Sequence, residues 1–318
     1  MSQPTLQQAI DLISGGRAEE GVHMLRTLAS TRDPQAVYML ARMTWSGNGI
    51  AADPHRGRLL FEYAADLGHG PANLLATNLL ASGIAGRRDW PLAIERLATE
   101  GRKVASRLAA LQLIEAMDLD ASGDAKFIPE AVRLSTEPDA RIFKGLLTEA
   151  ECSYVMQTAE PLLQPSVVYN DAGEEVRDTI RTSDGAGFYW LIEDPAIHAL
   201  NRRIAKATGT DYGQGEPLQV LRYAPGQEYR PHFDFLEAFD NPRPWTALIY
   251  LNDGYEGGAT RFVKTGLEVR GDTGDVLVFG NGGPDGKRDP LAEHAGLPVT
   301  SGRKYLATRW IRERRMIP

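Results

Sequence analysis

The sequence predicts an α+β protein, with an N-terminal α-helical repeat solenoid followed by a double-stranded β-helix, or jelly roll. Three observations predict it. Apolar residues recur at helical spacing through residue 118, similar segments return at a period in the thirties, and from residue 139 the pattern changes to short apolar or alternating runs divided by turn residues. At 318 residues and 42% hydrophobic, the chain can bury the cores of about two domains.

Residues 1–118 are Ala- and Leu-rich, as in "PQAVYMLARMTW", "GRLLFEYAADLG" and "PANLLATNLLASG". Ala29 and Ala36 return as Ala65 and Ala72 after 36 positions and as Ala98 and Ala105 after a further 33, while Gly47 returns as Gly83. Small residues at such a period mark helix crossings in stacked antiparallel helix pairs, each burying one face on the next. The segment resembles the tetratricopeptide-related Sel-one-like repeats, in which an Ala-rich helix, a Gly turn and a second helix alternate. Such a stack either offers a concave surface to a peptide or partner protein, or acts as a stabilising cap. Residues 119–138, within the polar stretch "DLDASGDAKFIPEAVRLSTEPDA", are expected to be a connector.

Residues 139–318 carry the strand signals. "LQVLRYAPG", "TALIYLNDG", "ATRFVKTG", "LEVRGDTG", "DVLVFGNGG" and "YLATRWIR" are each bounded by Gly, Pro, Asn or Asp. Two helices are expected before most of them, "TEAECSYVMQTAEPLL" and "PAIHALNRRIAKATG", the first opened by a capping box of Thr148 and Glu151. Many short strands with covering helices fit a cupin-like jelly roll.

The chemistry starts at "RPHFDF". On a strand, positions i and i+2 face the same side, so His232 and Asp234 would project together. A lone histidine is more often a hydrogen-bonded core or surface residue, and the pair needs a third ligand. His294, before an apolar strand in "AEHAGLPV", supplies one. Two histidines and a carboxylate leave three positions open on an octahedral Fe(II), the arrangement of non-haem oxygenases. Lys304, ten positions further on, lies on a strand that could aim it into the same pocket, where a buried ammonium requires an anion such as a dicarboxylate co-substrate.

The ordered runs "LQVLRYAPGQEYRPHFDF", "RPWTALIYLNDGYEGGATRF", "GDVLVFGN" and "HAGLPVTSGRKYLATRWIR", with "LLTEAECSYVM" and "IRTSDGAGF" upstream, resemble the catalytic core of prolyl 4-hydroxylase-type 2-oxoglutarate- and Fe(II)-dependent dioxygenases. The resemblance covers most of residues 141–312. It implies that His232, Asp234 and His294 hold iron, and that Lys304, helped by Tyr223 and Thr260, binds the distal carboxylate of 2-oxoglutarate. It also places Tyr229, Arg243 and Trp310 near the substrate or co-substrate. "GGAT" stands where the family has "GGET", Tyr305 follows Lys304 where the family has Trp, and the loop "FLEAFDNPRPWT" is short. The loop bears on substrate identity rather than on the reaction.

The implied activity is hydroxylation of an unactivated C–H bond, in a prolyl residue of a peptide or protein, coupled to conversion of 2-oxoglutarate and O2 into succinate and CO2, with ascorbate as a reductant. A free amino acid, another small molecule or a different side chain is the alternative substrate. With Asp234 in the carboxylate position, no place is left for a halide, so hydroxylation rather than halogenation is expected. A repeat-protein adaptor with a non-catalytic barrel would have lost a ligand or the basic residue, and a cupin-type metalloenzyme without 2-oxoglutarate would not need Lys304. A net charge of −7 argues against nucleic acid or an anionic membrane as the main partner. The single cysteine, Cys152, excludes an internal disulfide, and no leader-like or membrane-spanning run is present, so a cytoplasmic protein is expected.

Overall fold

A computed structural model describes residues 5–166, 168–169, 175–176, 181–237, 239–283 and 286–316. Ile180, which opens the quoted run "IRTSDGAGF", lies outside the described residues. The chain divides into two compact units. One takes the chain through Gln112 together with Trp190–His198; the other takes Leu113–Tyr189 and resumes at Ala199.

The first unit is built from α1 (Leu6–Ser14), α2 (Ala18–Ser30), α3 (Pro34–Ser46), α4 (Pro54–Asp66), α5 (Gly70–Ser82), α6 (Trp90–Gly101) and the start of α7 (Ala105–Ala116). The helix ends repeat as the apolar pattern does. Asp33 and His69 cap the N-termini of α3 and α5, Asp53 and Asp89 cap α4 and α6, and Gly47 and Gly83 end α3 and α5, each pair 36 residues apart. Both glycines are left-handed, with φ of 76° and 74°, a conformation that a side chain disfavours. Small residues permit the close crossings. Ala36, Ala41, Ala64, Ala72 and Ala76 are fully buried, and a Cβ on Gly57 of α4 would meet the Trp45 backbone nitrogen at 3.0 Å.

The second unit holds β1 (Ala131–Thr136), β2 (Asp139–Phe143), α8 (Glu149–Ala159), β3 (Gln164–Pro165), β4 (Val168–Tyr169), β5 (Glu175–Val176), β6 (Asp184–Phe188) and most of α9 (Pro195–Thr208). The remaining strands are β7 (Leu218–Tyr223), β8 (Tyr229–His232), β9 (Trp245–Tyr250), β10 (Tyr255–Gly257), β11 (Thr260–Phe262), β12 (Glu268–Val269), β13 (Val276–Gly280), β14 (His294–Gly296), β15 (Val299–Gly302) and β16 (Lys304–Ile311). The larger sheet runs β1-β2-β13-β9-β16-β7-β6-β3 and the smaller one β12-β11-β14-β8, all pairs antiparallel. Their inner faces share one core. Ile142, Leu248, Tyr250, Leu277, Phe279 and Leu306 of the larger sheet pack with Phe262 and Val269 of the smaller. Two antiparallel sheets closed on a common core form the double-stranded β-helix.

The stretch expected to be a connector, residues 119–138, is folded into this unit. It contains β1, Asp124 pairs with Arg202, and Lys206 Nζ donates to the Ala125 carbonyl at 2.6 Å. Its polar composition reflects position: β1 is an edge strand, and all of its residues but Ser135 are exposed.

The capping box of α8 forms as the sequence predicts. Thr148 Oγ1 accepts from Glu151 N at 3.2 Å, and Glu151 Oε2 accepts from Thr148 N at 2.8 Å. Glu151 also takes a bidentate bond from Arg203 of α9 at 2.7 and 2.8 Å, both partners buried. Thr148→Ala should cost about 1 kcal/mol. Glu151→Ala strands a buried guanidinium and should cost about 3–5 kcal/mol. Denaturant melts of the two variants check the order.

Candidate active site

Strand pairing builds the centre of the site. Strands β8 and β14 are antiparallel neighbours with His232 directly opposite His294, and the two imidazole centroids lie 4.3 Å apart. The third group arrives differently from the alternation that the sequence suggests. Strand β8 ends at His232, and Asp234 lies in a bend beyond it that turns the carboxylate back between the rings. Its Oδ1 is 3.7 Å from His232 Nε2, and its Oδ2 is 3.6 Å from His294 Nε2. Candidate ligand atoms of all three side chains fall within 4.8 Å of one another, the one such group among the described residues.

Both rings are oriented from behind. His232 Nδ1 sits 2.8 Å from the Arg230 carbonyl and His294 Nδ1 2.9 Å from that of Ala292, so each Nδ1 carries the proton and each Nε2 presents a lone pair to the site. Tyr229 stacks on His232 with centroids 3.5 Å apart, and Phe279 meets His294 edge-on at 4.8 Å. Burial, reinforced by His294, pushes the His232 imidazole down to about 3, which keeps it neutral. Burial works against ionisation of Asp234, but the two imidazoles, Arg243 and the Thr246 hydroxyl outweigh it and hold the carboxyl below its ordinary range. Two imidazole nitrogens and a carboxylate oxygen in a buried pocket fit a first-row divalent ion such as Fe(II).

Lys304 opens β16 opposite Tyr223 of β7. It is 2% exposed, and its Nζ donates to the Gly258 carbonyl at 2.7 Å, with the rings of Tyr223, Tyr250 and Tyr255 within 5.9 Å. Among the described residues no carboxylate pairs with it. Burial, and secondarily Arg270, lower its ammonium to about 7. Burial also raises the Tyr223 phenol, which remains a protonated donor. Thr260, on β11, is buried, and its Oγ1 lies 3.5 Å from the Tyr250 hydroxyl. A buried cation beside hydroxyl donors is the environment a carboxylate completes.

One pocket joins these groups. His232, Asp234, His294, Lys304, Tyr223, Thr260, Tyr229 and Trp310 line it, with apolar walls from Leu221, Leu248 and Leu306. Arg243 stands apart from the lining. Its guanidinium is paired with Glu216, one bond being 2.7 Å, and lies 4.1 Å from the centroid of Trp310. It therefore braces Trp310, a role that nothing in the residues around this loop arginine signals. Sequence reasoning also missed Thr246 and Asn281. Thr246 Oγ1 donates to Asp234 Oδ2 at 2.7 Å, and Asn281 Nδ2 donates to Thr246 Oγ1 at 2.8 Å. Neither stands out in "WTALIY" or "VFGN"; their position against Asp234 follows from pairing alone.

The 2OG-Fe(II) oxygenase superfamily pattern matches residues 218–312. Probable prolyl 4-hydroxylase 3 of Arabidopsis thaliana is 35% identical over 203 residues, which span 56% of this chain and 70% of the plant protein. Among solved structures, the viral collagen prolyl hydroxylase of Paramecium Bursaria Chlorella virus-1 in its 2OG complex is 28% identical with a TM-score of 0.42, covering 54% of this chain and 95% of the viral one. A Sel1 repeat protein from Oxalobacter formigenes is 19% identical with a TM-score of 0.30, covering 34% of this chain and 46% of its own.

Proposed function

Because this chain belongs to the prolyl 4-hydroxylase family of 2-oxoglutarate- and Fe(II)-dependent oxygenases, we propose that it hydroxylates a prolyl residue in a peptide or protein, with release of succinate and CO2. The observation that carries the reading is Lys304, a buried cation with no carboxylate partner among the described residues, in one pocket with His232, Asp234 and His294.

Each residue then has a physical task. His232, Asp234 and His294 hold Fe(II), which, when bound, supplies with 2-oxoglutarate and O2 the oxidising power to insert one oxygen atom into a C–H bond. Lys304 receives the distal carboxylate of 2-oxoglutarate, with the Tyr223 and Thr260 hydroxyls as further donors, and so fixes the co-substrate in one orientation. Leu221, Leu248 and Leu306 keep water from the reacting groups. Tyr229 and Trp310 line the same pocket and bound the space left for the substrate, and Arg243 with Glu216 fixes the Trp310 indole.

The test is an aerobic assay with Fe(II), ascorbate and labelled 2-oxoglutarate, with and without a proline-containing peptide. Succinate formation stimulated by the peptide, with a mass gain of one oxygen atom on proline, is the expected result. No turnover of 2-oxoglutarate would leave the adaptor reading. Peptide oxidation without 2-oxoglutarate would leave the cupin-type reading.

The helical unit enters the same proposal as a second contact for the polypeptide substrate. A chain beginning near Glu137 would lose β1, so the appropriate cut lies at Leu113, where the second unit begins. That shortened chain should bind Fe(II) and 2-oxoglutarate and make uncoupled succinate, while hydroxylation of a protein substrate falls by about 10²-fold through loss of the second contact. If both activities fall together with the melting temperature, the repeats are a stabilising cap.

A further inference from the structure

Thr246 is fully buried on β9, and Asn281, 1% exposed, follows directly on β13. The register of these two strands sets Phe279 opposite Thr246 and Gly280 opposite Trp245, which brings the Asn281 side chain onto Thr246. The Asn281 backbone is fixed as well: its N–H donates to the Pro244 carbonyl, and its carbonyl accepts from Asp289 N. An ionised Asp234 can only accept, so the single Thr246 proton goes to Oδ2. The hydroxyl lone pair must then be met by a donor, and that requirement orients the Asn281 amide with its NH2 toward Thr246. The chain of donors has one possible direction, from Asn281 through Thr246 to Asp234.

We propose that Thr246 and Asn281 are positioning residues that act in series, holding Asp234 so that Oδ1 alone serves as the metal ligand. The proposal rests on the reading of His232, Asp234 and His294 as the Fe(II)-holding set. Its consequence is stoichiometric. A carboxylate that chelates through both oxygens takes two of six octahedral positions and, with two histidines, leaves two; a monodentate one leaves three. The co-substrates need three, two for a chelating 2-oxoglutarate and one for O2. By engaging Oδ2, the Thr246 hydroxyl opposes the chelating mode.

The experiment titrates the full chain with Co(II), a spectroscopic stand-in for Fe(II), in Thr246→Val, Thr246→Ser, Asn281→Leu and the Thr246→Val/Asn281→Leu double variant. Thr246→Val removes the hydroxyl at nearly constant volume and should weaken Co(II) by about 10- to 100-fold, the usual effect of a lost outer hydrogen bond to a metal ligand. It should also alter the Co(II) d–d absorption, because a second carboxylate oxygen enters the ligand set in place of solvent. Thr246→Ser should restore both. Asn281→Leu should give a smaller loss, and that loss should vanish in the Thr246→Val background because the two residues act in series. Wild-type Co(II) affinity in Thr246→Val, or additive losses in the double variant, would overturn the proposal. Melting of the metal-free proteins identifies a variant that fails to fold; if Thr246→Val does, a Co(II) affinity in Asn281→Leu equal to wild type decides against the relay. Asp234→Ala in the same titration separates the two levels of inference. Its retention of wild-type Co(II) binding would overturn the triad itself, whereas its loss of binding beside an unaffected Thr246→Val would overturn the relay alone.

Discussion

Asp234→Ala, His232→Ala and His294→Ala should each abolish succinate formation, with turnover lower by roughly 10²-fold or more, because each removes a ligand outright rather than an outer partner of one. The fold should survive in all three, but with unequal stability. His294 packs between Phe262 and Phe279, with centroids at 6.0 and 4.8 Å, so its truncation opens a cavity among large rings and should lower the melting temperature most. His232 is partly open to the pocket and should cost less. Asp234→Ala removes a buried charge and leaves the Thr246 hydroxyl without its acceptor, two effects of opposite sign. Melting curves of the metal-free variants beside a labelled 2-oxoglutarate assay check both halves. Full succinate production by any one of the three would end the assignment of that residue.

Lys304→Ala should weaken 2-oxoglutarate far more than Fe(II), since a desolvated, charge-assisted contact is lost while the triad is untouched. Anaerobic titration of the iron chromophore measures this, and equal 2-oxoglutarate affinity in the two proteins would remove Lys304 from the role. Lys304→Arg should restore part of the affinity only. The space beside Gly258 is tight, with a lysine methylene 3.2 Å from where a Cβ on that glycine would sit, and a planar guanidinium fills it differently. The pH dependence has a definite sign. In the free protein, burial sets the ammonium at about 7, and pairing with a carboxylate raises it. Binding therefore takes up a proton at pH values above 7, and affinity falls as pH rises from there toward the raised value. Calorimetry at pH 8 in buffers of different ionisation enthalpy should register the uptake. The same desolvation predicts that Lys304→Met stabilises the ligand-free protein while it impairs co-substrate binding.

The residues to which the proposal assigns the chemistry were legible because they are unusual where they stand. His232 and Asp234 form a close pair in a chain with six histidines, and Lys304 is a charge inside an apolar strand, so each asked for a reason. The helical half was legible because periodicity is local: Gly47 returns as Gly83 by the same 36 residues that carry Ala29 and Ala36 to Ala65 and Ala72, and the caps seen in the structure at Asp33, Asp53, His69 and Asp89 keep that interval. A hydrogen bond to the next turn, or an apolar face every three or four residues, is written within a dozen positions.

What the tertiary structure alone decided lies across longer spans. That His294 faces His232 depends on the register of β14 on β8. That Asn281 reaches Asp234 through Thr246 depends on β13 against β9, and that Arg243 braces Trp310 depends on its pairing with Glu216. The edge strand inside residues 119–138 gave no apolar alternation to read, because its side chains face solvent. The physical reason is common to all of these. A sequence states which groups each residue carries and which face of its own element they occupy, whereas the partner across a sheet is chosen by the packing of the whole core, where a slip of one residue would turn every one of these side chains to the other face.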